Sequence, residues 1–264
     1  PSAILAINSK AKEFSKQGFK VINFSIGEPN FPTPLNICRA GKKAIDQDFT
    51  KYTAASGIPE LKQAIVKKFK QENNLSYKPS QIIVCPGGKQ ALFNIIFSLI
   101  DKGDKVIVPT PAWISYSEQI KICGGKPVLL KSKKDFKITA EQLKKAISAK
   151  TKLLILNSPS NPTGAVYNKK ELEALAKVIV KHKIWVISDE VYEKIVFDNQ
   201  KHVSIASLGK KIYKQTVIVN SFSKTYCMTG WRLGYAAGNE KVISSCANIQ
   251  SQTTSSPCSI SQKA

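Results

Sequence analysis

From about residue 80 onward, short apolar runs alternate with longer amphipathic stretches. The runs cover residues 81–85, 105–109, 127–130, 152–156, 184–189, 216–220 and 234–237. They are apolar almost throughout, not at every second position, which is the pattern of strands covered on both faces. The stretches between them carry helix-start signals. Thr139-x-x-Gln142 and Asn168-x-x-Glu171 resemble capping boxes, with Asn standing for the usual Ser or Thr in the second. Beyond Asn168, the residues Leu172, Leu175, Ala176 and Ile179 fall on one helical face, and Lys170, Lys177 and Lys181 fall outside it. Regular strand–helix alternation predicts an α/β fold: a mostly parallel seven-stranded sheet sandwiched by helices.

The first 35 residues break this rhythm. They show a helix-like stretch over 9–17, a short strand over 21–25, then Gly27-Glu28-Pro29 and the pair Pro32 and Pro34. This predicts an arm and an irregular loop over residues 1–35, followed by the sheet domain over 36–264. Pro59, just after Gly57-Ile58, suits the first turn of another helix.

Composition narrows the function classes. With 264 residues and 42% hydrophobic side chains, the chain can bury a substantial core. Its formal charge of +22 first suggests an anionic partner. However, the lysines are scattered with no run of five, and Arg39 and Arg232 are the only arginines among 40 basic residues. Arginine is the usual donor for bidentate phosphate and base contacts, so nucleic acid is disfavoured as a partner. The apolar stretch 91–100 is interrupted by Asn94 and Ser98 and falls short of the ~20 residues of a membrane span. No secretory leader is expected. Cys38, Cys85, Cys123, Cys227, Cys246 and Cys258 form no CxxC pair, and two histidines offer little for metal. Reduced structural thiols in a cytoplasmic protein, with no metal, are the expectation. The start at Pro1 and a helix-like ending at Ser261–Ala264 suggest part of a longer chain.

Ligands of such sheets sit beyond the carboxyl ends of the strands, and the chemistry of this chain gathers there. Pro86-Gly87-Gly88-Lys89-Gln90 follows the first strand and opens a helix. It reads either as a capping turn or as an anion site of free amides, and it lacks the GxxxxGK[ST] spacing. Asn157-Ser158-Pro159-Ser160-Asn161-Pro162-Thr163-Gly164 follows the fourth strand, as a stiff turn or as a mount for the Asn161 amide. Asp189, closing a strand of the type Ile184-Trp185-Val186-Ile187, needs a partner: a lysine, or a protonated ring nitrogen. Ser221-Phe222-Ser223-Lys224 follows the sixth strand, and a lysine there can serve as an amine nucleophile toward an aldehyde. Arg232 suits a planar phosphate clamp. Phosphate, ring nitrogen, phenolic oxygen and aldehyde are together the groups of pyridoxal phosphate.

On these residues the sequence resembles the class I, fold-type I aminotransferases, in particular the bacterial aspartate aminotransferase subgroup. The motifs are Gly27-Glu28-Pro29-Asn30-Phe31, Lys51-Tyr52, Gly87-Gly88-Lys89-Gln90, Asn157-Ser158-Pro159-x-Asn161-Pro162-Thr163-Gly164, Ser188-Asp189-Glu190-x-Tyr192, Ser223-Lys224 and Gly230-Trp231-Arg232-x-Gly234, in family order. The resemblance implies transamination between an amino acid, aspartate or glutamate, and a 2-oxo acid through a Schiff base on Lys224. It implies that Asp189 pairs with the pyridinium nitrogen, that Asn161 and Tyr192 bond the phenolic oxygen, and that Trp113 stacks on the ring. Gly88, Lys89, Ser221, Ser223 and Arg232 would surround the phosphate. Gly27, Lys89, Trp113 and Asn161 would face the substrate, and Lys89 would read an acidic side chain. Tyr52 would reach the phosphate of a neighbouring subunit, implying a homodimer with shared sites. Alternatives within the fold are an aromatic or prephenate aminotransferase, or a pyridoxal-phosphate lyase. Cys227, Ala112 and Asn30 depart from common family residues without removing the chemistry. The resemblance also implies a further C-terminal part of the small domain, carrying the arginine for the substrate α-carboxylate; without it, an inactive remnant is expected.

Overall fold

A computed structural model describes residues 3–24 and 27–264, with only the backbone described for residues 3–5. The chain separates into a unit ending at Pro32 and a unit from Thr33 to Ala264. In the first unit, α1 spans Ala3–Lys16, starting earlier than the 9–17 pattern predicts. Phe14 and Phe19 pack edge to face at 5.8 Å. Residues 21–24 form no strand, a correction to the expected strand over 21–25, whose last residue lies outside the described ones. Ile22 and Phe24 are exposed there, and no described strand is adjacent to take up their backbone hydrogen bonds.

The second unit begins with α2 (Leu35–Asp46) and α3 (Pro59–Asn73). Strand and helix then alternate as β1 (Ile82–Cys85), α4 (Gly88–Leu99), β2 (Lys105–Thr110), α5 (Ile114–Ile122), β3 (Lys126–Lys131), α6 (Ala140–Ala146), β4 (Thr151–Asn157), α7 (Lys169–His182) and β5 (Trp185–Asp189). The unit ends with α8 (Lys210–Gln215), β6 (Thr216–Ser221), α9 (Phe222–Thr225), β7 (Gly234–Ala237), α10 (Glu240–Thr253) and α11 (Ser259–Lys263). Both capping boxes form. Thr139 accepts from the Gln142 amide at 3.2 Å, and Asn168 from the Glu171 amide at 3.0 Å.

The seven strands form one sheet in the order β1-β7-β6-β5-β4-β2-β3. Pairs among β2 to β6 are parallel, and β7 runs antiparallel to both β6 and β1. The register aligns Asn157 with Asp189, and Gly234 with both Ser221 and Cys85. The carboxyl ends of β1, β6, β5 and β4 and the amino end of β7 therefore open on one edge.

Alternate side chains of the central strands feed separate layers. Ile155, Ile187, Val217 and Val219 join a cluster with Leu92, Ile95 and Ile96 of α4. Leu154, Leu156 and Val186 join Leu172, Leu175 and Ile179 of α7 on the other face. Each fully buried Ile or Leu contributes ~1.5–3 kcal/mol, so this double coverage rigidly fixes the strand ends. One strand departs from the predicted burial. β3 is the outermost strand, and Leu129 on it is 61% exposed. With no strand beyond it, only part of its surface is covered. β1, at the opposite end, is buried throughout because α3 and α10 pack on it.

Candidate active site

Two groups of residues converge on the strand-end edge. The first surrounds the turn from β1 into α4. Gly87 adopts φ +87°, and no side chain caps α4, leaving its first-turn amides available. A Cβ on Gly87 would lie 2.5 Å from Arg232 Nη2, so only glycine lets the guanidinium reach the helix start. A Cβ on Gly234 would lie 2.4 Å from the Gly88 nitrogen, so β7 can seat against the turn only through glycine. Ser221 Oγ accepts from the Ser223 amide at 3.1 Å and donates to Ser223 Oγ at 2.9 Å. A Cβ on Gly88 would lie 3.5 Å from Ser221 Cβ, so the turn passes close to this serine. Arg232 itself sits at φ +54°, a left-handed conformation that costs a non-glycine residue ~1–2 kcal/mol. Its Nη1 donates to the Thr229 carbonyl at 2.9 Å, which holds the fork in place. Amides, two hydroxyls and a guanidinium thus form a cradle for a phosphate-sized anion.

The second group surrounds Asp189, which is 4% exposed at the end of β5. Tyr116 Oη donates to Asp189 Oδ2 at 2.6 Å, and the Val191 amide to Oδ1 at 3.3 Å. Burial pushes the carboxyl up to about 6, with the Glu190 charge adding to the rise and the two hydrogen bonds opposing it. Asn157, aligned with Asp189 across the sheet, donates to the Asp189 carbonyl at 3.0 Å and accepts from the Asn161 amide at 2.7 Å. Asn161 in turn donates to Tyr192 Oη at 3.3 Å. Burial and the Asp189 charge raise the Tyr192 phenol, and the Asn161 bond partly offsets them. Lys224, on α9 immediately after β6, places Nζ 5.8 Å from the centre of the Tyr192 ring. Lys89 links the two groups. It follows Gly88 on α4, and its Nζ lies 4.8 Å above the Trp113 ring. Trp113 packs edge-on against Tyr116 at 5.5 Å.

The structure therefore brings together Gly88, Ser221, Ser223 and Arg232 on one side, and Trp113, Asn161, Asp189, Tyr192 and Lys224 on the other, with Lys89 between them. Tyr52 stands apart, 91% exposed. Gly27 belongs to the first unit.

Sequence reasoning missed Tyr116, Asn157 as an anchor, and a buried network behind the edge. In that network Glu190 accepts from Ser188 and Ser204 and pairs with His202 at 3.1 Å. Burial raises Glu190, but the His202 charge and the hydrogen bonds outweigh it and leave the group lowered. Glu193 binds Lys68, Asn73 and Asn220. Asn220 then accepts from the Ser221 amide at 2.7 Å, tying this network to the cradle. Tyr116 follows Trp113 by one helical turn, the spacing that could have revealed it.

The profile of the aminotransferase class I and II family matches residues 20–264, and the chain belongs to that family. It is 50% identical to the aspartate aminotransferase of Bacillus subtilis (strain 168), over 99% of this chain and 67% of that protein. It is 48% identical to the aspartate/prephenate aminotransferase of Cereibacter sphaeroides (strain ATCC 17029 / ATH 2.4.9), over 100% of this chain and 67% of that one. The Thermus thermophilus aspartate aminotransferase structure with maleate superposes with a TM-score of 0.96 at 43% identity, covering 100% of this chain and 68% of that one. The sheet with its flanking helices is thus the fold-type I architecture, and the chain spans about two thirds of the length of these relatives. No helix among the described residues is long and apolar enough to cross a membrane.

Proposed function

We propose that the protein transfers an amino group between aspartate or glutamate and a 2-oxo acid, using pyridoxal phosphate. The observation that carries this reading is the fit of the edge to that cofactor. A glycine-walled anion cradle and a buried carboxylate, both of which a bound phosphate and a cationic ring would satisfy, stand on adjacent strand ends beside Lys224. Residues 36–264 would form the cofactor domain.

Pyridoxal phosphate, when bound, supplies an aldehyde and an electron-accepting ring. The chain's own groups do the rest. Gly88, Ser221, Ser223 and Arg232 bind the phosphate. Asp189 holds a proton on the ring nitrogen. Asn161 and Tyr192 donate to the phenolic oxygen, and Trp113 covers the ring and shields it from water. Lys224 Nζ takes a proton from the substrate α-carbon and returns it on the other side of the reaction. Lys89 pairs with the second carboxylate of the substrate. Its contact with Trp113 is worth only ~0.5–1 kcal/mol, weak enough to exchange for that carboxylate. Maleate, bound by the Thermus thermophilus relative, is a dicarboxylate of this kind. Tyr52, projecting from its own chain, suits a contact with the phosphate site of a second copy in a homodimer. The relative named aspartate/prephenate aminotransferase favours prephenate as a second reading of the oxo-acid acceptor.

Borohydride reduction in the presence of pyridoxal phosphate, followed by peptide mapping, tests the reading. Label is expected on Lys224 and absent from Lys224→Ala; label spread over the other lysines with Lys224 unmodified sinks it. Transamination rates on aspartate against phenylalanine test the substrate class, with aspartate expected to be faster by at least tenfold.

A further inference from the structure

We propose that Tyr116 is a positioning residue for this reaction, acting through Asp189: its phenol orients the carboxylate and keeps it ionised where the cofactor ring must be held. The inference rests on the pyridoxal-phosphate reading above and extends it to a residue outside the motifs that carry the resemblance.

Tyr116 is 2% exposed on α5, and its 2.6 Å bond to Oδ2 has the length of a hydrogen bond to a charged oxygen. The other oxygen is held by the Val191 amide on the turn after β5, so two separate elements fix one carboxylate. Burial and the charge of Asp189 raise the phenol well above its ordinary value, so Tyr116 remains a donor and does not compete for the negative charge. The same ring braces Trp113 edge-on, coupling the aromatic cover to the carboxylate beneath it.

The titratable groups around Asp189 define what the phenol opposes. Glu190, next in the chain, adds a like charge. Tyr192 lies in the turn that follows, and Lys224 stands at the end of the adjoining strand β6. Without Tyr116, burial and Glu190 act on Asp189 against the Val191 amide and any cation nearby. The carboxyl then holds its proton to higher pH, and a neutral acid no longer pairs with a ring cation.

The test begins on the cofactor-free chain labelled with 13C at aspartate Cγ, with Asp189 assigned through Asp189→Asn. Tyr116→Phe is expected to raise the Asp189 titration midpoint by about one pH unit, a tenfold change in proton affinity. Incorporation of 3-fluorotyrosine at position 116, a stronger donor of nearly the same shape, is expected to lower it. The fluorinated protein keeps the test open if the Phe variant fails to fold. Midpoints that move by less than ~0.3 unit in both proteins overturn the proposal.

Cofactor affinity provides a second readout. Tyr116→Phe is expected to weaken pyridoxal phosphate binding about fivefold at pH 6, with the loss shrinking as the pH rises to 8, where Asp189 is ionised in both proteins. In the Asp189→Asn background the same change is expected to have no effect, because the group through which it acts is gone. An equal loss in both backgrounds marks a merely structural tyrosine and overturns the proposal. Asp189→Asn binding the cofactor as tightly as the parent removes the cofactor reading, and with it the catalytic meaning of Tyr116. The carboxyl titration separates that failure from a failure of Tyr116 to act on Asp189.

Discussion

The cradle at Gly87, Gly88, Ser221 and Arg232 and the cluster at Asp189, Tyr116, Asn161 and Tyr192 open on the same edge of the same sheet, yet they are built differently. The cradle depends on close approach of backbone, in which a single added methyl would fall 2.4 Å from the Gly88 nitrogen. The cluster depends on side-chain partners around a buried charge, gathered from a strand (Asp189), a helix (Tyr116) and two turns (Asn161 and Tyr192). Volume therefore breaks the first, and changes of protonation or hydrogen bonding break the second. The register that pairs Gly234 with Ser221, and Asp189 with Asn157, brings the two together.

The largest effect is expected from Gly234→Ala. The new Cβ would meet main-chain atoms of Gly87 and Gly88, which cannot rotate away as a flexible side chain would. Overpacking against fixed backbone should cost ~3 kcal/mol, read as a lower urea midpoint at unchanged slope. Affinity for pyridoxal phosphate should fall in parallel, because the same displacement opens the anion site. A variant of parental stability would show that the turn yields, and that the cradle is less rigid than its glycines imply.

At the cluster the sign reverses. Asp189 is raised from 3.8 to about 6 in the folded chain, so the cofactor-free fold binds the proton more tightly than the unfolded chain does. Stability contributed by the protonated group is therefore present at low pH and is lost as pH rises from about 4 through 6. Asp189→Asn should remove that loss. We expect the cofactor-free variant to be more stable than the parent by ~1–2 kcal/mol at pH 8, a figure reduced from the full linkage because the single amide oxygen replaces two carboxylate oxygens that accept from Tyr116 and Val191. At pH 4 the gain should disappear. Parallel denaturation curves at the two pH values check this, and a gain of equal size at both would locate the effect in packing instead of charge. Asp189 thus costs the cofactor-free fold stability above about pH 6, the trade expected of a residue kept for the proposed chemistry.

The same contrast explains what could be read from the sequence. Cradle and cluster both lie at strand ends, and the strands were legible because β4, β5 and β6 are apolar on both faces and end in polar residues. Asp189 could be picked out as a charge closing an apolar run, Lys224 as a lysine among small hydroxyl residues just past a strand, and Arg232 as one of only two arginines. The helix starts at Thr139 and Asn168 were legible because capping is decided within four residues. Tyr116 was not, because its role depends on α5 bringing its phenol to the end of β5, a hydrogen bond between residues 73 apart in the chain. The Glu190–His202 pair was hidden in the same way by the loop that folds His202 back over the strand end. The burial of β3 was overestimated because an edge strand and a central strand can share one apolar pattern. The expected strand over 21–25 failed for a related reason: β-branched and aromatic residues make a strand only where another strand takes their hydrogen bonds.

The smallest effect on stability, and the sharpest separation of stability from binding, is expected at Arg232. Its side chain is exposed, and Arg232→Lys keeps the charge while removing the planar fork. One hydrogen bond, Nη1 to the Thr229 carbonyl, is lost at the surface, where a lysine or water can replace it. Stability should therefore change by no more than ~0.5 kcal/mol. The phosphate contact should suffer more, because an ammonium cannot offer two parallel donors across the Gly87 gap. A tenfold loss in pyridoxal phosphate affinity, with pyridoxal lacking the phosphate bound as by the parent, is the expected pattern. Equal losses for both ligands would mean that Arg232 holds the turn and not the anion. The cradle would then be, like the cluster, a site whose side chains serve its architecture first.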